Sequence, residues 1–282
     1  MARVPEIPSA ATFPRSPSDR ILPTGGPEPE GGDEMSIETE HDLAGLRRAG
    51  RVAALALEAM KAGVRPGVST AELDAIAAGM LRVHGARSGP HIVYGFPGTT
   101  CISVNDEVVH GIPGRRRLAD GDIVTLDVTV ELDGYFADTA VTVPVPSASP
   151  RALALIAAAR AAFARAIGVA RAGAFVSNVG ASIETEVRRR GFRVFRELCG
   201  HGIGRTIHEE PQIPNHRSHD SQLRLTDGLV ITIEPLVSAG GEWTRTSADR
   251  WTVRSSDGAL AAHHEHTMVI RRGKPEILTL AA

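Results

Sequence analysis

The chain has 282 residues, of which 42% are apolar and 23% charged, and its formal net charge is −2 at pH 7. This composition is ordinary for a globular protein, and the near-zero charge gives no reason to expect binding to nucleic acid or to a membrane surface. The only two cysteines, Cys101 and Cys199, cannot form a disulfide framework and favour a reducing cytoplasm, and no run of about 18 apolar residues predicts a transmembrane helix.

The first 34 residues differ from the rest because they contain seven prolines and few large apolar side chains. They lack the apolar centre of a signal peptide. We therefore expect a disordered or extended segment over 1–34 and a compact domain over 35–282. An inert tail and an arm that docks onto a partner are both compatible with this composition.

The compact part repeats one order of elements. The first half predicts helices over 40–62 and 70–83, then β-rich segments around 91–96, 100–105, 121–132 and 135–144. The second half predicts helices over 150–171 and 178–190, then strands around 192–198, 229–237, 250–255 and 264–271. Each half therefore predicts helices that alternate with β-rich segments.

A repeat is also visible in the letters of the sequence. The string LADGDIVTLD at 118–127 aligns with LTDGLVITIE at 225–234, 107 residues later, and both strings end in a carboxylate. One internal duplication explains this match, and a site between the two halves would take Asp127 from one and Glu234 from the other. Chance similarity between two buried strands is the alternative.

A hairpin links two aspartates. The dipeptide Asp133-Gly134 is a strong signal for a two-residue turn, which would pair Thr129 with Asp138. Because side chains alternate along a strand, Asp127 shares the face of Thr129 and lies about 7–8 Å from Asp138 at Cα. Two acids in an apolar strand pattern repel each other unless a cation lies between them, so we favour a metal site over two solvated acids.

Three further segments supply candidate ligands: CGHGIG (199–204), TIEP (232–235) and HHEHT (263–267). Glu234 and Glu265 stand in apolar strand patterns, where an acid is rarely buried without a partner. With the two aspartates and His201 they form an oxygen-rich set that suits two divalent ions, and cobalt, manganese, iron and zinc all tolerate it.

The other histidines near these segments are ambiguous by themselves. His208 follows a glycine-rich loop and is either a functional or a hydrogen-bonded structural residue, and His110 precedes a Gly-Ile-Pro turn. His263, His264 and His266 cluster around Glu265, a pattern compatible with metal binding, but we expect His263 and His264 at the surface.

Five blocks of this sequence resemble the type I methionine aminopeptidases: NDEVVHGIPG, LADGDIVTLDVTVELDGYFADTA, CGHGIGRTIHEEPQI, TIEPLV and HEHTMVI. The resemblance covers roughly 40–275. It implies the pita-bread fold, an α/β (α+β) architecture in which two pseudo-symmetric helix–sheet halves surround a dinuclear metal centre. The implied reaction removes the initiator methionine from a nascent protein when the second residue is small.

The resemblance also implies roles for individual residues. The metal ligands would be Asp127, Asp138, His201, Glu234 and Glu265, with Asp138 and Glu265 bridging two ions. A water activated by the ions would attack the peptide carbonyl, Glu234 would accept its proton, and His110 and His208 would bind the peptide and stabilise the intermediate.

The implied methionine pocket departs from the family. Its lining positions hold Phe96, Cys101, Trp251, Val93 and Ile207. Phe96 stands where tyrosine is common, and Val93 and Ile207 occupy positions that are often aromatic. We therefore expect a pocket that is more aliphatic than usual.

The resemblance implies nascent polypeptide N-termini as partners, and we expect a monomer in the cytoplasm. The proline-rich extension is reminiscent of family members whose arms are proposed to dock onto the ribosome. Three other classes of protein share part of this pattern: an X-Pro peptidase of the same fold, a non-catalytic binding protein of the same fold, and a mononuclear iron oxygenase. An X-Pro peptidase usually carries a large extra N-terminal domain, which 34 proline-rich residues cannot supply. A non-catalytic protein is expected to have lost metal ligands, whereas all five positions are filled here. An iron oxygenase site fits poorly with four carboxylates.

Overall fold

A computed structural model describes residues 37–218 and 222–281. The predicted proline-rich extension over 1–34 lies outside these residues, so its state stays a prediction. Within the described parts of the chain, no helix is both long enough and apolar enough to cross a membrane.

The helices of the described residues are α1 (Glu40–Gly63), α2 (Thr70–Val83), α3 (Gly89–Tyr94), α4 (Pro150–Ile167) and α5 (Val176–Arg189). The strands are β1 (Arg87–Ser88), β2 (Cys101–Val104), β3 (Glu107–Val109), β4 (Ile123–Leu132), β5 (Tyr135–Pro144), β6 (Arg193–Val194), β7 (Cys199–Gly202), β8 (Glu209–Pro214), β9 (Val230–Ile233), β10 (Leu236–Ser238), β11 (Thr244–Thr246), β12 (Val253–Ser255), β13 (Ala261–Val269) and β14 (Glu276–Ile277). The predicted alternation of helices and strands is therefore confirmed.

The prediction of a strand around 91–96 was wrong, because the chain forms the short helix α3 there. The Ser88 side chain accepts a hydrogen bond from the His91 N–H, and Pro90 occupies the first turn. The helix ends at Gly95, which adopts a left-handed conformation with φ of 71°. These capping residues favour a helix more strongly than the intervening residues favour a strand.

Two helix ends also differ from the prediction. Helix α4 ends at Ile167 instead of near residue 171, where Gly168 interrupts the alanine-rich pattern. Helix α5 begins at Val176, one residue before the expected cap Ser177. Its start is fixed by tertiary pairing, because Phe175 forms a β-bridge with Arg224.

The central sheet has the strand order β1-β4-β5-β13-β9-β7-β8. Its β4–β5 hairpin confirms the predicted register, in which Thr129 faces Asp138 across the turn. Asp133 and Gly134 both have positive φ, at 54° and 82°, as a tight turn matched to strand twist requires.

Two pairs of helices pack on one face of this sheet. Helices α1 and α2 contribute to an apolar cluster that includes Leu126, Val128 and Val130 of β4. Helices α4 and α5 pack on a second cluster that includes Ile231 and Ile233 of β9. Because alternate side chains of β4 point to opposite faces, burying the apolar set against helices directs Asp127 to the other face.

The backbone shows that the two halves are equivalent. Gly67 N–H donates to Leu118 O and Leu118 N–H to Val68 O in the first half, and Gly173 N–H donates to Leu225 O and Leu225 N–H to Ala174 O in the second. The two leucines are the first residues of the aligned strings and stand 107 positions apart. The duplicated strings therefore occupy corresponding places in two related halves.

Candidate metal centre

Strand register places two of the predicted ligands in one row across the sheet. Ala140 of β5 pairs with Asp127 of β4 on one side and with Glu265 of β13 on the other. Asp138 lies two residues before Ala140 on β5 and therefore shares its face. The small side chain of Ala140 leaves space between three carboxylates.

The second half of the chain supplies the other two predicted ligands. Glu234 directly follows β9, and His201 lies on β7, the next strand in the sheet. Thr232 links them, because its hydroxyl accepts from the His201 backbone N–H at 3.0 Å and donates to Glu234 Oε1 at 3.2 Å. The His201 Nε2 lies 3.6 Å from Glu234 Oε1.

Burial raises the pKa of all four carboxyl groups. Burial raises the pKa of Glu265 well above its ordinary value, and the charges of Asp138, Glu234 and Asp127 raise it further. Burial, together with neighbouring carboxylates, likewise raises the pKa of Asp127 and of Glu234. Burial raises the pKa of Asp138 to about 6 although Thr129 Oγ1 donates to its Oδ2 at 2.9 Å. Such a cluster is costly to hold without a compensating cation.

The donor atoms fit divalent metal. One carboxylate oxygen of Asp138, one of Glu265 and a ring nitrogen of His201 all lie within 4.8 Å of one another. Asp138 Oδ1 is buried and has no hydrogen-bond partner among the described residues. Burial lowers the pKa of His201 to about 4, so its imidazole is neutral at pH 7, which is the form that binds metal.

Metal should stabilise the fold more at higher pH. The four carboxyl groups have higher pKa values in the folded chain than the value of about 4 expected when unfolded, and for Asp138 the folded value is about 6. Without metal, the free energy of unfolding therefore falls as pH rises through this window. We expect the increase in Tm produced by Mn²⁺ over chelator to be larger at about pH 7.5 than at about pH 5.

Thermal melts with Mn²⁺ and with EDTA at both pH values measure this difference. An increase in Tm that is equal at the two pH values, or larger at the lower one, would contradict the expected coupling between metal and proton binding.

His110 and His208 border the same site. His110 follows β3 in a left-handed backbone conformation with φ of 58°, which is uncommon outside glycine and often marks a functional constraint. Gly111 permits this path, because a Cβ there would lie 2.2 Å from the Ile102 carbonyl oxygen. The His208 ring centroid lies 4.2 Å from that of His201. Burial, and then the charges of His201 and His110, lower the pKa of His208, so His110 lies near this pair. The structure therefore places His110 and His208 beside the predicted ligands.

Tyr94 was not singled out from the sequence, yet it contacts this pair. Its hydroxyl lies 2.5 Å from His208 Nδ1 at the end of α3. Burial and the charge of Asp138 raise the Tyr94 pKa to about 12, so the phenol keeps its proton and can donate it to the imidazole. That hydrogen bond would fix the orientation of the His208 ring and leave Nε2 free. No local sequence pattern predicts this contact, because 114 residues separate Tyr94 from His208.

Replacing Tyr94 by phenylalanine should lower kcat/KM by about 3–10-fold, the effect of losing one hydrogen bond, with metal content unchanged. Steady-state kinetics with metal analysis measure both quantities. Tyr135→Phe is the matched control, since Tyr135 is the only other tyrosine and its hydroxyl bonds to Asp42 at 2.9 Å, within an apolar cluster. Equal loss of kcat/KM in both variants would show that Tyr94 has no specific role.

The predicted pocket residues lie in different surroundings. Phe96 and Trp251 are in edge-to-face contact, with ring centroids 5.2 Å apart, and Cys101 pairs with Asp127 across β2 and β4. Ile207 is buried in an apolar cluster against which Tyr94 packs. Val93 is 41% exposed.

The prediction that His263 and His264 lie at the surface was wrong. His263 is only 3% exposed and its Nε2 lies 3.7 Å from Glu234 Oε2. His264 is half-buried on the opposite face of β13, where its ring packs 5.1 Å from Phe163 of α4. Strand β13 is central in the sheet and packs against α4 on the face that carries His264, so neither histidine is at the surface.

Comparison with known proteins gives consistent results. The model of metallopeptidase family M24 matches residues 44–272. Methionine aminopeptidase 1 of Bacillus subtilis is 41% identical over 242 residues, which are 86% of this chain and 98% of that protein. The methionine aminopeptidase of Escherichia coli K12 is 41% identical over 248 residues, which are 87% of this chain and 94% of that protein.

A solved structure agrees with these relatives. The crystal structure of methionine aminopeptidase from Thermotoga maritima resembles this chain with a TM-score of 0.84 and 33% identity, covering 86% of this chain and 98% of that one. The predicted fold, two related helix–sheet halves of the pita-bread type, is therefore confirmed.

Proposed function

The chain belongs to metallopeptidase family M24, and from this premise we propose that it removes the initiator methionine from newly made proteins whose second residue is small. It is an aminopeptidase and a hydrolase, since relatives that are 41% identical over most of its length are methionine aminopeptidases. The observation that carries the proposal is the convergence of four carboxylates and His201 from both halves on one side of the central sheet.

We assign the metal ligands as the five residues predicted from the sequence: Asp127, Asp138, His201, Glu234 and Glu265. Two divalent ions, drawn from cobalt, manganese, iron and zinc, suit one imidazole and four carboxylates. When bound, such ions polarise the scissile carbonyl and lower the pKa of water. Asp138 on β5 and Glu265 on β13 would each contact both ions. These two strands lie between β4, which carries Asp127, and the strands β9 and β7 of the second half.

Side chains of the protein would accept the proton and bind the substrate. Glu234 would accept the proton of the attacking water, while Thr232 Oγ1 holds its Oε1 in place. His208, oriented by Tyr94, and His110 would bind the peptide carbonyl and stabilise the charge that develops on its oxygen. Phe96, Trp251 and Cys101 would contact the methionine side chain, with Ile207 and Val93 at the margin of that pocket.

The partners in this proposal are the N-termini of nascent polypeptides. A cytoplasmic location, where these chains are made and where free cysteines persist, goes with it. We also propose that the enzyme is a monomer and that residues 1–34 dock onto the ribosome or serve as an inert tail.

Peptides that differ only at the second residue test the proposal. The purified protein is incubated with Met-Gly-Met-Met, Met-Leu-Met-Met and Met-Pro-Gly peptides, with Mn²⁺ or Co²⁺ and with EDTA, and released methionine is measured. We expect release from the glycine peptide that EDTA abolishes, with little release from the leucine peptide.

Two outcomes would contradict the proposal. Release only ahead of proline would assign the chain to the X-Pro peptidases, and no release with any of the metals would favour a binding protein.

A further inference from the structure

His263 lies on the same face of β13 as Glu265, two residues away. Its backbone is anchored by Thr142, whose Oγ1 accepts from the His263 N–H at 2.7 Å and donates to the His263 carbonyl at 3.1 Å. The strand therefore holds this side chain in place, directed at the two glutamates.

The ring of His263 is buried and forms no hydrogen bond to the part of the chain that the structure describes. The residue is 3% exposed, and neither Nδ1 nor Nε2 has a hydrogen-bond partner among the described residues. A buried imidazole left in this state costs about 1–3 kcal/mol, so such groups are rare in native folds. An unpaired buried nitrogen beside two acids points to a ligand between them.

The distances distinguish a hydrogen bond from a shared ion. His263 Nε2 lies 3.7 Å from Glu234 Oε2 and 3.6 Å from Glu265 Oε2, beyond the range of about 2.7–3.2 Å for a hydrogen bond. Two donor atoms each about 2.1 Å from one ion, at an angle of about 90–125°, lie about 3.0–3.7 Å apart. All three donor atoms lie within 4.8 Å of one another, so they can surround one ion.

We propose that His263 is a further metal ligand, binding through Nε2 the ion held by Glu234 and Glu265, beyond the five ligands assigned above. This inference rests on the proposed metallopeptidase function. His201 Nε2 faces Oε1 of Glu234, whereas His263 Nε2 faces Oε2. The centre therefore has two imidazoles, one on each oxygen of the same glutamate.

The second imidazole has a consequence for metal preference. Nitrogen ligands favour cobalt, zinc and iron, whereas an all-oxygen set suits manganese better. His263 thus biases the centre toward the nitrogen-preferring ions.

Metal titration of the full-length protein tests the assignment. Calorimetric titrations of Co²⁺ and of Mn²⁺ into metal-free protein are compared for wild type, His263→Gln and His264→Gln. We expect His263→Gln to lower Co²⁺ affinity by at least about 10-fold, to lower Mn²⁺ affinity less, and to change the visible absorption of the bound cobalt. His264→Gln makes the same change at the next residue, on the face that packs against α4, and should leave all three unchanged.

Wild-type affinity and an unchanged cobalt spectrum in His263→Gln would overturn the proposal. Should that variant fail to fold, proton NMR of the wild-type cobalt protein gives an independent result. Two exchangeable, strongly shifted imidazole N–H signals support two bound histidines, and one signal contradicts the assignment. Failure of the proposed function would instead appear as no methionine release by the wild-type protein, so the two failures are distinguishable.

Discussion

Asp138→Asn should lower methionine release by about 1,000-fold or more and should reduce the amount of Mn²⁺ that the protein retains. The change removes one negative charge from the carboxylate assigned to both ions, and metal stabilisation of a transition state contributes several kcal/mol. The shape of the side chain is kept, and the Thr129 hydroxyl can still donate to the amide oxygen. Release rates and metal content of the same preparation measure the two effects.

Asp133→Asn is the matched control on the same hairpin. Asp133 occupies the turn, its side chain is 65% exposed, and its positive φ of 54° is one that asparagine readily adopts. This variant should keep both wild-type rate and metal content. If Asp138→Asn also kept both, the bridging assignment would be wrong.

Glu234→Gln should lower kcat by about 100–10,000-fold with little change in KM, the range expected for loss of a general base. Glutamine retains an Oε1 that accepts from Thr232 but cannot take a proton from water. Single-turnover kinetics at saturating peptide and Mn²⁺ isolate the chemical step from metal loss.

Glu58→Gln, on the exposed side of α1 where Glu58 pairs with Lys61 at 2.6 Å, makes the same change away from the site and should leave kcat unchanged. A kcat of Glu234→Gln within about threefold of the wild-type value would exclude Glu234 as the base.

Local chemistry made much of the fold predictable. The Asp133-Gly134 turn determines the register of β4 and β5, and that register puts Asp127 and Asp138 on one face. The aligned strings that end in Asp127 and Glu234 indicate the duplication by themselves. Both predictions depend on a repeat or a turn that short stretches of sequence encode.

Features that depend on tertiary context could not be read in this way. Helix α3 has six residues, and its β-branched Ile92 and Val93 are residue types that favour a strand. Its start depends on the cap at Ser88. The run of polar residues around Glu265 looks solvated, but β13 lies between helix α4 and the carboxylates, so His263 is buried. The contact of Tyr94 with His208 joins distant segments and carries no local signal.

Anomalous X-ray scattering at the manganese edge, from crystals of the Mn²⁺-loaded protein, tests the central claim most directly. We predict two peaks among the carboxylates of Asp127, Asp138, Glu234 and Glu265, with His201 bound to one of them. A single peak, or peaks away from these carboxylates, would contradict the dinuclear centre on which the proposed reaction depends.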